Sequence, residues 1–343
     1  MRIIRCDATH ETGWTAFVEA SKAASFYHRW EWRDINQRHL GHDSCYLAAL
    51  DGERIAGVLP LVQVKSRLFG NIGCSMPFVN YGGPASESEA IDAALLDAAS
   101  AVASEWGVDY LEIRSPRDLG ERYPCSKHKV SMTLDLSPDP DALFNAFKGD
   151  QRKDIRRAYK YGFTARFGTT EVFEDFYAIL CDSWRDLGTP IYSKEYFQAV
   201  VATFPEQTRL AVVYAGDGTP AAAAFMGHQS GVVEGLWLGT RAQFRRQMVG
   251  YVLYWEIIKD ACERGHQVFH LGRSTADSGA EQFKRKWNAH PTQLYWHYVL
   301  RKRREVPQLN VKNPKFKIAI AAWRKLPVGV TRHLGPFIAR AIP

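Results

Sequence analysis

No stretch of the 343-residue chain comes near 18 consecutive apolar residues, so no segment is expected to cross a bilayer as a helix. The amino terminus, MRIIRCDATHE, lacks the apolar core of a secretory signal, and the expected location is cytoplasmic. Cysteine is sparse and scattered, at positions 6, 45, 74, 125, 181 and 262, with no C-x-x-C pair. Cys125 and His128 form one C-x-x-H with no second half, so neither a zinc framework nor a disulfide scaffold is expected, and no metal. There is also no H-E-x-x-H, no G-x-x-x-x-G-K-[ST], no G-x-G-x-x-G and no evident Ser-His-Asp or Cys-His set. Those absences argue against a zinc peptidase, a P-loop nucleotidase, a dinucleotide oxidoreductase and a nucleophile-based hydrolase.

Acidic residues are missing from one place in particular. Residues 301–343 hold eleven Lys/Arg and a single carboxylate, Glu305, whereas the preceding 300 residues carry a net charge of −3. The overall +7 therefore belongs to the tail. A slightly acidic body argues against a protein that binds DNA through its net charge.

What is present is an α/β pattern that occurs twice. In the first half, a short strand (RIIRCD) precedes helical patterns around 13–22 and 29–38. Two apolar runs joined by Asp51-Gly52 then read as a hairpin. An Ala-rich helix ending at Gly107 and two further strands follow. The second half repeats helix, helix, a hairpin with a turn at Asp217-Gly218, a helix ending at Gly265, and strands. Pro138–Lys148, with the turn and cap signal SPDPD, marks the boundary. The expectation is two α/β domains with mixed sheets, 1–145 and 146–300, followed by a basic helical tail, 301–343.

Three segments of the second half carry a resemblance: RKDIRRAYKYGF, YVLYWEIIKDACERGHQVFHLGRST and EQFKRKWNAHP. In order and spacing they resemble the Fem-type (FemAB-like) aminoacyltransferases of peptidoglycan cross-bridge synthesis, whose members are built from tandem GNAT-like domains. ASFYH, PFVNYGGP, RDLGTP, LGRST and the tail segment NPKFKIAIAAWRKLPVGVTRHLGP look like the FemAB-like proteins of PEP-CTERM/exosortase envelope systems. The resemblance implies an acyltransferase with two tandem GNAT-like domains. Its donor would be a charged tRNA, and its acceptor a sugar-phosphate or polyprenyl-linked envelope precursor. Such a reaction needs no enzyme nucleophile: positioning, a stabiliser for the developing oxyanion and a proton acceptor suffice.

Candidate residues follow from this reading. Lys148, Arg152, Arg156 and Lys160 are spaced by four and would form one helical stripe. The stripe is either a solvated face or a phosphate cradle, and Arg152 and Arg156 are where the family pattern matches. In EQFKRKWNA, Phe283 and Trp287 would share a helix face and leave Lys284 on another. The resemblance places the Phe-Lys pair at the active site, where the Lys284 ammonium would stabilise a tetrahedral oxyanion. Arg273 and Ser274, at the end of the strand HLGRST, would hold a carboxylate or phosphate and donate a hydrogen bond; the alternative is a structural turn. Tyr81, beside Gly82-Gly83, and Arg185, before the Gly188-Thr189-Pro190 loop, are further candidate substrate contacts. No tightly bound cofactor is expected.

Two alternatives stay open. Gln247-Met248-Val249-Gly250 resembles the start of the acyl-CoA signature Q/R-x-x-G-x-G/A, but position 252 is Val, which weakens the case for CoA as donor. The other alternative is a non-catalytic, membrane-associated binding protein of an envelope assembly system. Residues 312–340 combine aromatic, apolar and basic residues. They would either lie on an anionic membrane surface from the inner side or dock on the protein's own body.

Overall fold

The computed structural model describes residues 1–67, 69–307 and 314–342. In chain order the elements are β1 (Arg2–Arg5), α1 (Glu11–Ala20), α2 (Trp32–Ile35), β2 (Asp43–Asp51), β3 (Arg54–Ser66), β4 (Gly70–Cys74), β5 (Ala85–Ser86), α3 (Glu89–Glu105), β6 (Tyr110–Ser115) and β7 (Cys125–Asp135). There follow α4 (Pro140–Ala146), α5 (Gly149–Tyr159), β8 (Thr164–Gly168), α6 (Phe173–Leu187), α7 (Lys194–Thr203), β9 (Thr208–Tyr214), β10 (Pro220–Gln229) and β11 (Val232–Thr240). The chain finishes with α8 (Val249–Glu263), β12 (Val268–Thr275), α9 (Gly279–Arg285), β13 (His290–Leu300), α10 (Pro314–Lys325) and α11 (Val328–Ala339). These elements form two units. The first comprises residues 1–131, 292–309 and 340–343, and the second comprises 132–291 and 310–339.

The first unit has a mixed sheet in the order β1-β2-β3-β4-β6-β13. Asp51-Gly52 closes the β2–β3 hairpin, with Gly52 at φ +63, a conformation that costs a side-chain-bearing residue energy. β4 and β6 run parallel, which requires a crossover, and α3 supplies it. Ser88 caps the start of α3 by accepting from the Ile91 amide, and Gly107 at φ +58 follows its end. The buried face of α3 (Leu95, Leu96, Ala99, Val102, Ala103) packs on Leu59, Leu61, Leu111 and Ile113 of the sheet.

The second unit repeats this plan. Its sheet runs β12-β11-β10-β9-β8, and the parallel pair β11–β12 is bridged by α8. Asp217-Gly218 turns the β9–β10 hairpin, with Gly218 at φ +82. Each unit thus has the order strand, two helices, three antiparallel strands, helix, parallel strand, which contains the helix–helix–hairpin–helix–strand order read twice from the sequence. The aromatic residues Phe176, Tyr196, Phe197, Phe225 and Trp237 pack edge to face beneath α6 and α7.

Within the basic tail, α10 and α11 belong to the second unit. α10 and α11 lie against α6, and Arg324 donates to the Leu187 carbonyl at 3.1 Å. Residues 312 and 313 and the side chains of Lys315 and Phe316, which belong to the expected membrane-facing stretch, lie outside the described residues.

Candidate active site

The site grows from the end of β12. Gly272, inside β12 three residues before its end, has φ +77, and a side chain at this position would meet the Gly235 carbonyl at 3.4 Å and the Lys284 ammonium at 3.7 Å. Only a residue without a β-carbon takes this conformation cheaply. The turn is held from inside the sheet. The Gly272 amide donates to His270 Nδ1 at 3.1 Å, so that nitrogen is the unprotonated one and Nε2 carries the proton. His270 is opposite Glu234 in the parallel β11–β12 register, and both are buried. Burial pushes the His270 pKa down, and the nearby Glu234 carboxylate partly offsets it.

The turn presents two carbonyls to a short helix. α9 starts at Ser278, whose hydroxyl accepts from the Glu281 amide, while Glu281 accepts from the Asp277 amide and from Arg285. These contacts fix the rotation of the helix, so Phe283 and Lys284 face different neighbours. Phe283 packs edge to face on Tyr251 and Tyr254, and Trp287 stacks on Tyr254 at 5.7 Å. Lys284 turns to β12 and donates from Nζ to the Gly272 and Arg273 carbonyls, each at 3.0 Å. Only 8% of Lys284 is exposed. Burial, and secondarily the charge of Arg273, pull its pKa from 10.5 to about 8. An ammonium has three donors, and two are used here.

The start of α5 adjoins the end of α9. The Phe147 ring is 5.6 Å from Trp287, Asn288 Nδ2 donates to the Ala146 carbonyl at 3.1 Å, and Asp150 and Asp154 lie close enough to Lys286 to stabilise its charge. Arg152 is half-buried, with its Nε unpaired, and Gln151 is buried with both amide atoms unpaired. Ser274 Oγ and Trp287 Nε1 are likewise buried without a protein partner. Buried polar groups are nearly always paired, so this set is available to substrate or water. Arg156 is exposed, with its guanidinium 5.2 Å from the Phe144 ring.

Lys284 is therefore brought to the backbone of Gly272 and Arg273, while Phe283 packs on α8, the Ser274 hydroxyl is buried without a partner, and Arg152 lies on α5. Arg185 lies elsewhere in the second unit, at the end of α6, where it pairs with Asp186 at 3.0 Å and reaches the Leu326 carbonyl at 3.4 Å. Tyr81 belongs to the first unit, edge to face on Tyr27 at 5.6 Å. It follows Met76 and Phe78, two residues in left-handed backbone, a strained arrangement for side-chain-bearing residues. His270, Glu234 and Gln151 were missed by sequence reasoning. A faint signal existed for the first two, each a lone titratable residue inside an apolar strand, VFHLG and VVEGLWL.

At the start of α8, Met248 is left-handed (φ +61) and provides no side-chain cap. The Val252 side chain is fully buried. Among the described residues no group of three His, Cys, Asp or Glu could hold a metal ion.

Residues 149–285 match the family model described as an acetyltransferase (GNAT) domain. No curated protein matches the chain. Among solved structures, FemX is 14% identical with a TM-score of 0.66, the match covering 88% of this chain and 98% of that one. L-PGS from Bacillus licheniformis is 15% identical with a TM-score of 0.55, covering 94% and 98%. A tandem GNAT protein from the clavulanic acid biosynthesis pathway is 12% identical with a TM-score of 0.50, covering 87% and 97%. At these identities the likeness is one of fold: two tandem GNAT-like domains. With a GNAT domain spanning α5 to α9, the chain is an enzyme of the acyltransferase class.

Proposed function

We propose that the protein is a Fem-like acyltransferase that transfers an aminoacyl group to an amine or hydroxyl of a cell-envelope precursor. The observation that carries the reading is Lys284, an ammonium held in a buried site by two carbonyls with its third N–H uncommitted. The donor on this reading is a charged tRNA. The acceptor nitrogen or oxygen attacks the ester carbonyl, forming the new bond while the carbonyl π pair moves onto oxygen. The third Lys284 N–H stabilises that oxyanion in a site of low polarity, where one such donor is worth roughly 3–4 kcal/mol. Collapse breaks the ester C–O bond. The tRNA hydroxyl leaves with a proton, and the acceptor loses one.

The remaining residues bind and orient. Arg152, Arg156 and Arg273 hold phosphate or carboxylate oxygens of donor and acceptor, and the unpaired Ser274 hydroxyl adds a hydrogen bond. Phe283 forms the apolar wall beside the reacting group. Tyr81 and Arg185 are further candidate substrate contacts. The acceptor is a sugar-phosphate or polyprenyl-linked precursor, met at the inner face of the plasma membrane. The motifs shared with PEP-CTERM/exosortase-associated proteins suggest that type of envelope system. The fold shared with FemX and L-PGS, which also gives tandem GNAT-like domains, supports the reading.

A second reading, an acyl-CoA donor, is favoured by the acetyltransferase description of the matched domain and by the Q-x-x-G at the start of α8. The two donors are separated by thermal unfolding with acetyl-CoA, where saturating ligand raises the melting temperature by several degrees if it binds. The function itself is tested by mass spectrometry of envelope precursors from cells with the protein, without it, and with Lys284→Ala. The expected result is an added aminoacyl mass that is lost in both latter cases. An unchanged precursor profile across all three refutes the assignment.

A further inference from the structure

α11 has two faces with opposite fates. Thr331, Gly335 and Ala339 are buried. At Gly335 the fit is closest: a β-carbon there would sit 2.8 Å from the Ile191 carbonyl oxygen and 2.9 Å from its amide nitrogen, both backbone atoms that cannot move aside cheaply. Arg332 reaches over the Tyr177 ring of α6 at 5.2 Å. The helix is thus seated by small residues on one side. Val330, Leu334 and Phe337, spaced i, i+4, i+7, project from the other side into solvent, Phe337 with 60% of its surface exposed. α10 adds Ile318, 72% exposed.

Among the described residues seven large hydrophobic side chains are exposed, and four of them are these; a fifth, Leu187, adjoins the tail through its carbonyl bond to Arg324. The exposed apolar surface of the chain is therefore concentrated on its most basic segment. Lys317, Arg324, Lys325 and Arg332 are all exposed on the same two helices, and no acidic residue lies between 306 and 343.

We infer that the outward face of α10 and α11, centred on Leu334 and Phe337, is a docking surface for an anionic lipid bilayer. The charge complementarity selects lipid over a second copy of the chain: two such faces would bring two strongly basic segments together. Exposed apolar side chains on a segment that also exposes Lys317 and Lys325 suit the headgroup boundary, where the apolar chains enter the acyl region and the cations meet phosphates. Docking on the protein body and docking on a membrane are then properties of opposite sides of the same helices. The inference does not depend on which acyl group is transferred.

Co-sedimentation of the full chain with vesicles tests it, comparing phosphatidylglycerol/phosphatidylcholine mixtures with phosphatidylcholine alone. The wild type is expected to partition onto the anionic vesicles and to be partly released by salt. The double variant Leu334→Ser/Phe337→Ser, altered only at exposed positions, is expected to bind about tenfold more weakly at an unchanged melting temperature. Equal partition on both vesicle types, or unchanged binding by the variant, overturns the inference. So does a wild-type dimer in solution that the same two substitutions convert to monomer, since that would mean a second copy covers the face.

Discussion

Replacing Lys284 with Met keeps the length of the side chain and removes its charge, which gives a direct measure of what burying that charge costs. The pKa falls from 10.5 to about 8 on folding, through burial first and Arg273 second. At 1.36 kcal/mol per pKa unit, holding the ammonium in the folded protein costs about 3 kcal/mol at neutral pH. Below pH 8 both folded and unfolded chains are protonated, so the whole penalty applies. Between pH 8 and 10.5 the folded protein gives up the proton before the unfolded chain does, and stability from this group rises with pH. Integrated over the two pKa values, the penalty shrinks by on the order of 1 kcal/mol between pH 7 and pH 9. The Met variant has no such titration, and groups that do not sense the Lys284 charge cancel in the comparison. Urea unfolding of both proteins at pH 7, 8 and 9 should therefore show wild type gaining on the order of 1 kcal/mol on the variant. A difference that stays flat with pH refutes the reasoning, because it would place the ammonium in solvent. The same titration sets the rate: if the ammonium is the working form, transfer declines as pH rises through about 8.

Two further substitutions test the frame around Lys284. Trp287→Ala empties the aromatic cluster packed against the end of α9 and should cost about 3–5 kcal/mol in chemical denaturation; a loss below about 1 kcal/mol would mean the cluster does not carry the helix. His270→Phe removes the acceptor of the buried Gly272 amide, with an expected cost of about 1–3 kcal/mol and a lowered melting temperature; an unchanged melting temperature would show that the turn holds itself.

The doubled fold was legible because its signals are local. Asp51-Gly52 and Asp217-Gly218 announce hairpins through the backbone they favour, and Gly107 and Gly265 stop helices for the same reason. The placement of Phe283 apart from Lys284 follows from helical angles alone. What sequence could not supply are contacts between distant residues. Nothing near His270 indicates that its ring accepts from a turn two residues on, or that Glu234 lies opposite it. Nothing around 295–300 indicates that these residues pair with 110–115. Arg185 illustrates the same limit: nothing near it in sequence indicates that its guanidinium reaches the Leu326 carbonyl, between the two tail helices.

That pairing of β13 with β6 has a consequence for how the protein is made. A ribosome delivers Tyr110–Ser115 long before it delivers Tyr295–Leu300. At about 5–20 residues per second, one side of β6 waits on the order of 10–30 s for its partner. During that time the whole of residues 132–291 emerges and can fold, while an unfilled strand edge invites mispairing. The sheet of the second unit can therefore be complete while that of the first is still short of a strand.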